Sequence, residues 1–259
     1  MVMLLVISPA KSLNFDSKSN ANSFSEPHFL SDAERINSVL KKKSVNKLMK
    51  IQEISKNLAE LNHNRNQNWI SNNTDLNSKQ AVSAFQGDVY LGLSEADFTK
   101  EDYSFAQNHL RILSGLYGIL KPLDRIQPYR LEMGTALKTT RGKNLYEFWK
   151  LRITNFLNEE FEQEEKPVLI NLASDEYFKS IKPTKLNATI IQAVFMDKKN
   201  GKYKVISFFA KKARGMMARF IIKNRITTPE GLKAFDSEGY LYNESMSTDT
   251  KWVFARDTE

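Results

Sequence analysis

The chain has no cysteine among its 259 residues. That absence excludes disulfides, thiolate nucleophiles and cysteine-ligated zinc or iron–sulfur centres, so the protein is not itself a thiol redox device. Histidine is nearly as scarce. His28, His63 and His109 stand far apart in no metal-ligand spacing and suit surface or interface positions. The expectation is no metal site and no cofactor. No apolar run approaches the roughly 18 residues that span a bilayer, which excludes a membrane partner. The opening MVMLLVISPA carries a short hydrophobic run, but no basic segment precedes it and it stops at Ser8-Pro9. A buried strand is expected there rather than an export signal, and the cytoplasm is the expected location. Also missing are a Walker loop, a GxSxG elbow, an HExxH pair and a dinucleotide fingerprint.

What is present belongs to a folded globular chain: 41% hydrophobic residues, 11% aromatic, and a formal charge of 38 − 30 = +8. A positive balance permits association with nucleic acid, and its distribution matters more than its size. Acidic residues crowd into NEEFEQEE, Asn158 to Glu165, expected to be a solvated helix end. Val2–Ile7 is expected to be a strand covered on both faces. SVNKLMKIQEISKNLAELNHNRNQNW repeats apolar residues at Leu48, Ile51, Ile54, Leu58 and Leu61 with a helical period. Further helices are expected near Ser31-Asp32, over NSKQAVSAF and over TKEDYSFAQNHLRILS. After Pro167 the period changes. PVLINLAS reads as a buried strand, and ATIIQAVFMD and KYKVISFFA as strands joined at Asn200-Gly201. A last hairpin is expected in GYLYNESMSTDTKWVFARD. No repeat or low-complexity linker divides the chain, so the expected architecture is one α/β (α+β) domain over 1–259, with a mixed sheet flanked by helices.

FFAKKARGMMARFIIKNR, Phe208 to Arg225, carries six cations and no acid. As a helix from Ala210 to Lys223, it places Ala213, Met216, Met217, Phe220 and Ile221 on one arc. Lys211, Lys212, Arg214, Arg219 and Lys223 fill the other, with Gly215 and Ala218 between them. Small residues between cations let a phosphate backbone approach closely; a solvated face is the plainer alternative.

Two further features carry chemistry. FAQNHLRILSGLYGILKPLDRI resembles a helix–hairpin–helix element, in which hairpin amides and a helix start face a phosphate and binding ignores base sequence. Ser114, Gly115 and Gly118 form its hairpin, with Lys121, Arg125 and Arg130 nearby. Its glycines stand three apart rather than two, and an ordinary loop between helices fits equally. Second, the strands LLVIS and VLINL run into charged loops. If they are neighbours, Ser8, Lys11 and Ser12 meet Ser174, Asp175, Glu176 and Lys179 in a possible pocket, where ligands of such sheets bind. A structural ion-pair network is the alternative there. Tyr129, Arg130 and Glu132 are further cleft candidates.

Together LLVISPAKSLNF, FQGDVYLGL, HLRILSGLYGILKPLDRIQPYRLEMG, NLASDEYFKSIKP and KVISFFAKKARGMMARFIIKNR closely resemble the YaaA family of bacterial peroxide stress resistance proteins, in order and over nearly the whole chain. The resemblance implies an α/β body of unusual topology with a positively charged cleft and a helix–hairpin–helix element. It implies binding to duplex or distorted DNA, and a role in lowering free iron during hydrogen peroxide stress. Carried over, the hairpin falls on Ser114 to Gly118 and the basic stretch on Lys211, Lys212, Arg214 and Arg219, while Lys11 lies in the SPAK motif. No catalytic residue is implied. DNA is therefore the expected partner, with no obligate protein partner. The alternative is an enzyme acting on a small anionic or nucleotide substrate through Lys11, Asp175 and Glu176.

Overall fold

The computed structural model describes residues 3–257. Val2, where the first strand is expected to begin, lies outside the described residues. The chain opens with β1 (Met3–Ile7), β2 (Ser12–Leu13), α1 (Leu30–Lys41), α2 (Val45–Gln52) and α3 (Lys56–Asn68). β3 (Lys79–Gln80), α4 (Ala81–Ala84), β4 (Phe85–Gln86), α5 (Asp88–Leu93) and α6 (Lys100–His109) follow. Next come β5 (Leu110–Ser114), β6 (Gly118–Leu120), β7 (Arg125–Ile126), α7 (Leu145–Trp149) and α8 (Arg152–Glu160). The remainder holds β8 (Val168–Leu172), α9 (Asp175–Phe178), β9 (Thr189–Lys199), β10 (Lys202–Lys204), α10 (Ser207–Lys223), β11 (Leu241–Tyr242) and β12 (Lys251–Arg256).

One mixed sheet, flanked by helices, runs β11-β12-β9-β8-β1-β5-β6, with β10 hanging on β9. Its five inner strands are parallel; β6, β10 and β11 are antiparallel to their neighbours. β1 and β8 are buried at all five positions, which is why they read as unbroken apolar runs rather than alternating ones. β9 alternates instead, with Ile191, Ala193 and Phe195 facing inward. Asp197 continues that inward row fully buried, held by Arg256 (2.5 Å) and the Tyr240 hydroxyl (3.0 Å).

Several expected elements change on folding. The helical period over residues 44–69 is cut in two: Glu53 takes a left-handed φ of 51°, and Ser55 caps α3 by accepting the Leu58 N–H. The break resets the phase, so Leu58 and Leu61 face solvent, and Ala59, Asn62 and Asn66 are buried instead. NSKQAVSAF forms only the single turn α4 between short β pairings. The helix expected over residues 99–114 begins at a Thr99–Asp102 capping box but ends at His109, because LRILS enters the sheet as β5. Five buried residues are too few for periodicity to separate a strand from a buried helix. The hairpin at Asn200-Gly201 forms, but its second strand stops at Lys204 and SFFA already belongs to α10. The expected C-terminal hairpin is β11–β12.

α10 and α5 cross at backbone contact. A Cβ placed on Gly215 would lie 1.8 Å from the Val89 carbonyl oxygen, and one on Gly92 would lie 2.1 Å from that of Lys212. Neither obstacle is a movable side chain. Met217 is fully buried beside this crossing, and Met216 nearly so. Gly215→Ala is therefore expected to destabilise by about 1–3 kcal/mol, although alanine is the better helix former by ~1 kcal/mol. Urea unfolding at neutral pH measures this, and a midpoint equal to or above the parent's would contradict so close a crossing.

Candidate functional site

The chain leaves β1 for β5 on one flank and later returns as β8 on the other, so the sheet order reverses around β1. In open α/β sheets such reversals leave a crevice at the carboxyl ends of the strands, where ligands bind. Here the loops after β1 and β8 do meet. Ser8 Oγ accepts the Ser174 backbone N–H (2.9 Å) and donates to Ser174 Oγ (3.3 Å). The Tyr90 hydroxyl of α5 donates to the Ser8 carbonyl oxygen (3.2 Å). Burial pushes the hydroxyls of Tyr90, Tyr129 and Tyr177 well above the usual tyrosine range, so all three stay neutral donors.

The other pocket candidates distribute around this contact. Lys11 pairs with Glu132 (3.4 Å), which also takes Arg130 (2.9 Å). Glu176 accepts the Gly134 N–H (2.9 Å), and its carbonyl oxygen accepts the Tyr146 hydroxyl (2.9 Å). Lys179 lies over the Tyr146 ring. Ser12 stands apart: it pairs with Gln86 in the β2–β4 ribbon and lines a neighbouring groove of about 710 Å³.

The basic face of α10 is met by carboxylates from distant segments. Arg219 grips both oxygens of Asp97 (2.7 and 2.6 Å). Lys223 and Arg225 converge on Asp102 (2.8 and 2.7 Å), Lys212 pairs with Glu238, and Lys211 approaches Asp88 (3.9 Å). Arg219's hydrogen bonds hold the Asp97 carboxyl down at about 2. At Asp102 burial acts in the opposite direction, but hydrogen bonds from Lys223, the Thr99 N–H and Arg225 outweigh it and give about 2. Arg214 differs: among the described residues no carboxylate lies within ion-pair distance of it, and its Nε is buried without a partner. Gly215 and Ala218, read from the sequence as gaps for a phosphate, are buried against α5.

The structure corrects the helix–hairpin–helix. Residues 110–120 are two antiparallel strands, with Ser114 opposite Gly118, and the turn between them is buried. Gly118 takes φ +72° with its Cα against the Trp149 ring, and Trp149 Nε1 donates to the Gly115 carbonyl oxygen (3.1 Å). Ser114 Oγ lies 2.7 Å from the Tyr129 hydroxyl. The hairpin glycines therefore serve packing, and their amides do not face solvent. Nearby, Lys121 pairs with Glu160 (3.0 Å), and Arg125 pairs with Glu26 and Asp75 while stacking on Phe24. Glu160, expected in a solvated acidic run, instead grips the buried Arg111 through both oxygens (2.6 Å each).

A different set of cations is free. Lys41, Lys42, Lys43, Lys47 and Lys50 lie in and around the α1–α2 turn, and none has a carboxylate within 4 Å among the described residues. Helix α3 holds the turn: Gln67 donates to the Lys41 carbonyl oxygen (2.8 Å), and His63 Nδ1 lies 3.1 Å from that of Lys43. On α2, Leu48 and Gln52 point inward, leaving Lys47 and Lys50 exposed on the opposite side. Sequence reasoning passed over this segment. The signal was there: LKKKSVNKLMK has five lysines in eleven residues and no acid.

With this geometry in hand, comparison with known families gives one finding: the model described as peroxide stress protein YaaA matches residues 3–246. The match runs from β1 through β11 and includes every candidate site residue from Ser8 to Arg225.

Asp102, 4% exposed, anchors the brace between α6 and α10. Its folded value lies below the ordinary 3.8, so its contribution to stability is complete above about pH 4 and is lost as pH falls through about 2. Asp102→Asn is expected to cost ~3 kcal/mol at neutral pH, because it leaves Lys223 and Arg225 short of a countercharge. It should also flatten the acid limb of the stability curve. Urea midpoints measured from pH 2 to pH 7 test this; a variant whose curve runs parallel to the parent's refutes the brace.

Proposed function

The chain belongs to the YaaA family of peroxide stress proteins, and we propose that it serves peroxide stress resistance by binding the DNA backbone through the lysine turn between α1 and α2. One contrast carries this reading. The predicted contacts on α10 are paired with acids, Arg214 excepted, whereas the five lysines from Lys41 to Lys50 have no such partner among the described residues. A cation already in an ion pair must give up its carboxylate before it gains a phosphate, while a free lysine exchanges only water and counterions. Lys47 and Lys50 stand one turn apart on the exposed side of α2, with Lys42 and Lys43 leading into it. Point charges on flexible stems contact phosphate without reading bases, which suits binding to duplexes of any sequence.

In this proposal Lys211, Lys212, Arg219 and Lys223 act as braces that fix α10, Lys121 and Arg125 do the same for the segments they pair across, and Arg130 is held by Glu132 within its own loop. The lowering of free iron implied by the resemblance is taken as a downstream effect. Among the described residues no three His, Asp or Glu side chains gather to hold a metal.

Fluorescence anisotropy on several unrelated duplexes, each titrated with salt, tests the assignment. Log affinity against log salt should fall with a slope of about −4, near one unit per phosphate contacted. Substituting Lys42, Lys47 and Lys50 together by Gln should remove about three units of that slope. The Lys212→Gln/Arg219→Gln pair should leave the slope unchanged. If the second set abolishes binding and the first does not, the interface lies on α10 and this proposal fails.

A further inference from the structure

Arg214 is the cation of α10 that the bracing does not use, and its surroundings can be traced by contact. Three residues earlier on the same helix, Lys211 reaches Asp88 at the start of α5. Gly87, just before it, lies against Ala10 in the loop after β1 (3.4 Å from an added Cβ to the Ala10 Cβ). From α5, Tyr90 bonds the Ser8 carbonyl oxygen, and Ser8 bonds Ser174. Asp175, the next residue, closes the circuit: its charge is felt at Arg214, although no direct ion pair forms between them. Helix α10 packs against β1 and β8, and Asp175, just beyond the end of β8, is the carboxylate whose charge reaches Arg214.

Arg214 also has unmet hydrogen-bonding capacity. Of the buried side-chain atoms without a partner among the described residues, one is Arg214 Nε, and two, Arg130 Nε and Glu132 Oε2, belong to the cluster that Lys11 joins in the loop after β1. Native interiors leave few such groups unpaired, and a guanidinium withdrawn from water without a countercharge is costly. Burial lowers the affinity of Arg214 for its proton, an effect Asp175 only partly offsets, yet arginine stays charged at any working pH. A group of this kind is met by an anion.

We propose that Arg214, together with the hydroxyls of Ser8 and Ser174 at the ends of β1 and β8 and with Lys11 in the loop after β1, forms a binding site for the oxyanion group, phosphate or carboxylate, of a small molecule. Arginine's planar fork matches both groups. The recessed position suits a small molecule rather than a duplex, whose contacts fall on the separate lysine turn. Lys11 is two-thirds exposed and free to swing from Glu132 to a second charge on the ligand. Asp175, exposed and with its charge reaching the guanidinium, disfavours ligands carrying dense negative charge all round.

Calorimetric titration of the full chain with inorganic phosphate, AMP and succinate, at constant ionic strength, tests the site. Binding of the phosphate-bearing probes alone assigns a phosphate ligand, and binding of succinate alone assigns a carboxylate; either supports the proposal. Arg214→Gln is expected to weaken the active probe by about tenfold or more, the worth of a charge-assisted hydrogen bond. Arg219→Gln, with the same loss of charge on the same helix, should change it less than about twofold, since an exposed pair on another face is screened. Asp175→Asn supplies a readout that does not depend on how the arginine variant folds: removing the repulsive carboxylate should tighten binding. Silence from all three probes, an Arg214→Gln variant that binds like the parent, equal losses in the two arginine variants, or weaker binding in Asp175→Asn would each overturn the site.

Discussion

The crossing of α5 over α10 is the contact on which the rest of the charge arrangement depends. Glycine at positions 92 and 215 removes the two Cβ atoms that would keep the helix backbones apart, so the pair packs backbone to side with no flexible group between. That contact fixes the rotation of α10 about its axis. With the rotation fixed, Lys212, Arg219 and Lys223 meet Glu238, Asp97 and Asp102, and Arg214 is left with its Nε buried and unpaired. Ridge-into-groove packing with ordinary side chains would have held the helices roughly 8–10 Å apart with a different set of neighbours.

Two populations of cations result, and they answer to different physics. Those on α10 lie in networks where one acid serves two bases, as Asp102 does for Lys223 and Arg225, so ordering one side chain lowers the entropic cost for the next. Those around α2 have no carboxylate within ion-pair distance among the described residues, and at exposed positions such as Lys42, Lys47 and Lys50 added salt screens charge most strongly. A net charge of +8 is thus a poor guide to where unpaired positive charge lies. Much of the positive charge is internal bracing.

Legibility from sequence followed the range of the interactions involved. β1, β8 and the Asn200-Gly201 hairpin were evident because their signals are local: buried apolar runs and a turn whose residues accept positive φ. The meeting of Ser8 with Ser174 was reachable on the assumption that two parallel strands are adjacent. The carboxylates opposite α10 were not, since Asp97 stands 122 residues from Arg219 and belongs to an unremarkable acidic turn. The phase of α3 was misjudged for a local reason, as Glu53 in a left-handed conformation leaves no composition signal. The hairpin at Gly115–Gly118 looked like a DNA-binding turn because glycine serves two ends equally well; Trp149 decides between them, and it lies 31 residues beyond Gly118.

The glycine crossing also bears on chemical durability. Thioether sulfur is the remaining oxidisable sulfur in a chain that has no thiol, and conversion to the sulfoxide turns a packing group into a polar one. Met217 at the crossing, with Met3 in β1 and Met133 in the loop beyond β7, has no exposed surface. A protein of a peroxide stress family thus keeps these core sulfurs off its surface, where packing withholds them from direct contact with a dissolved oxidant.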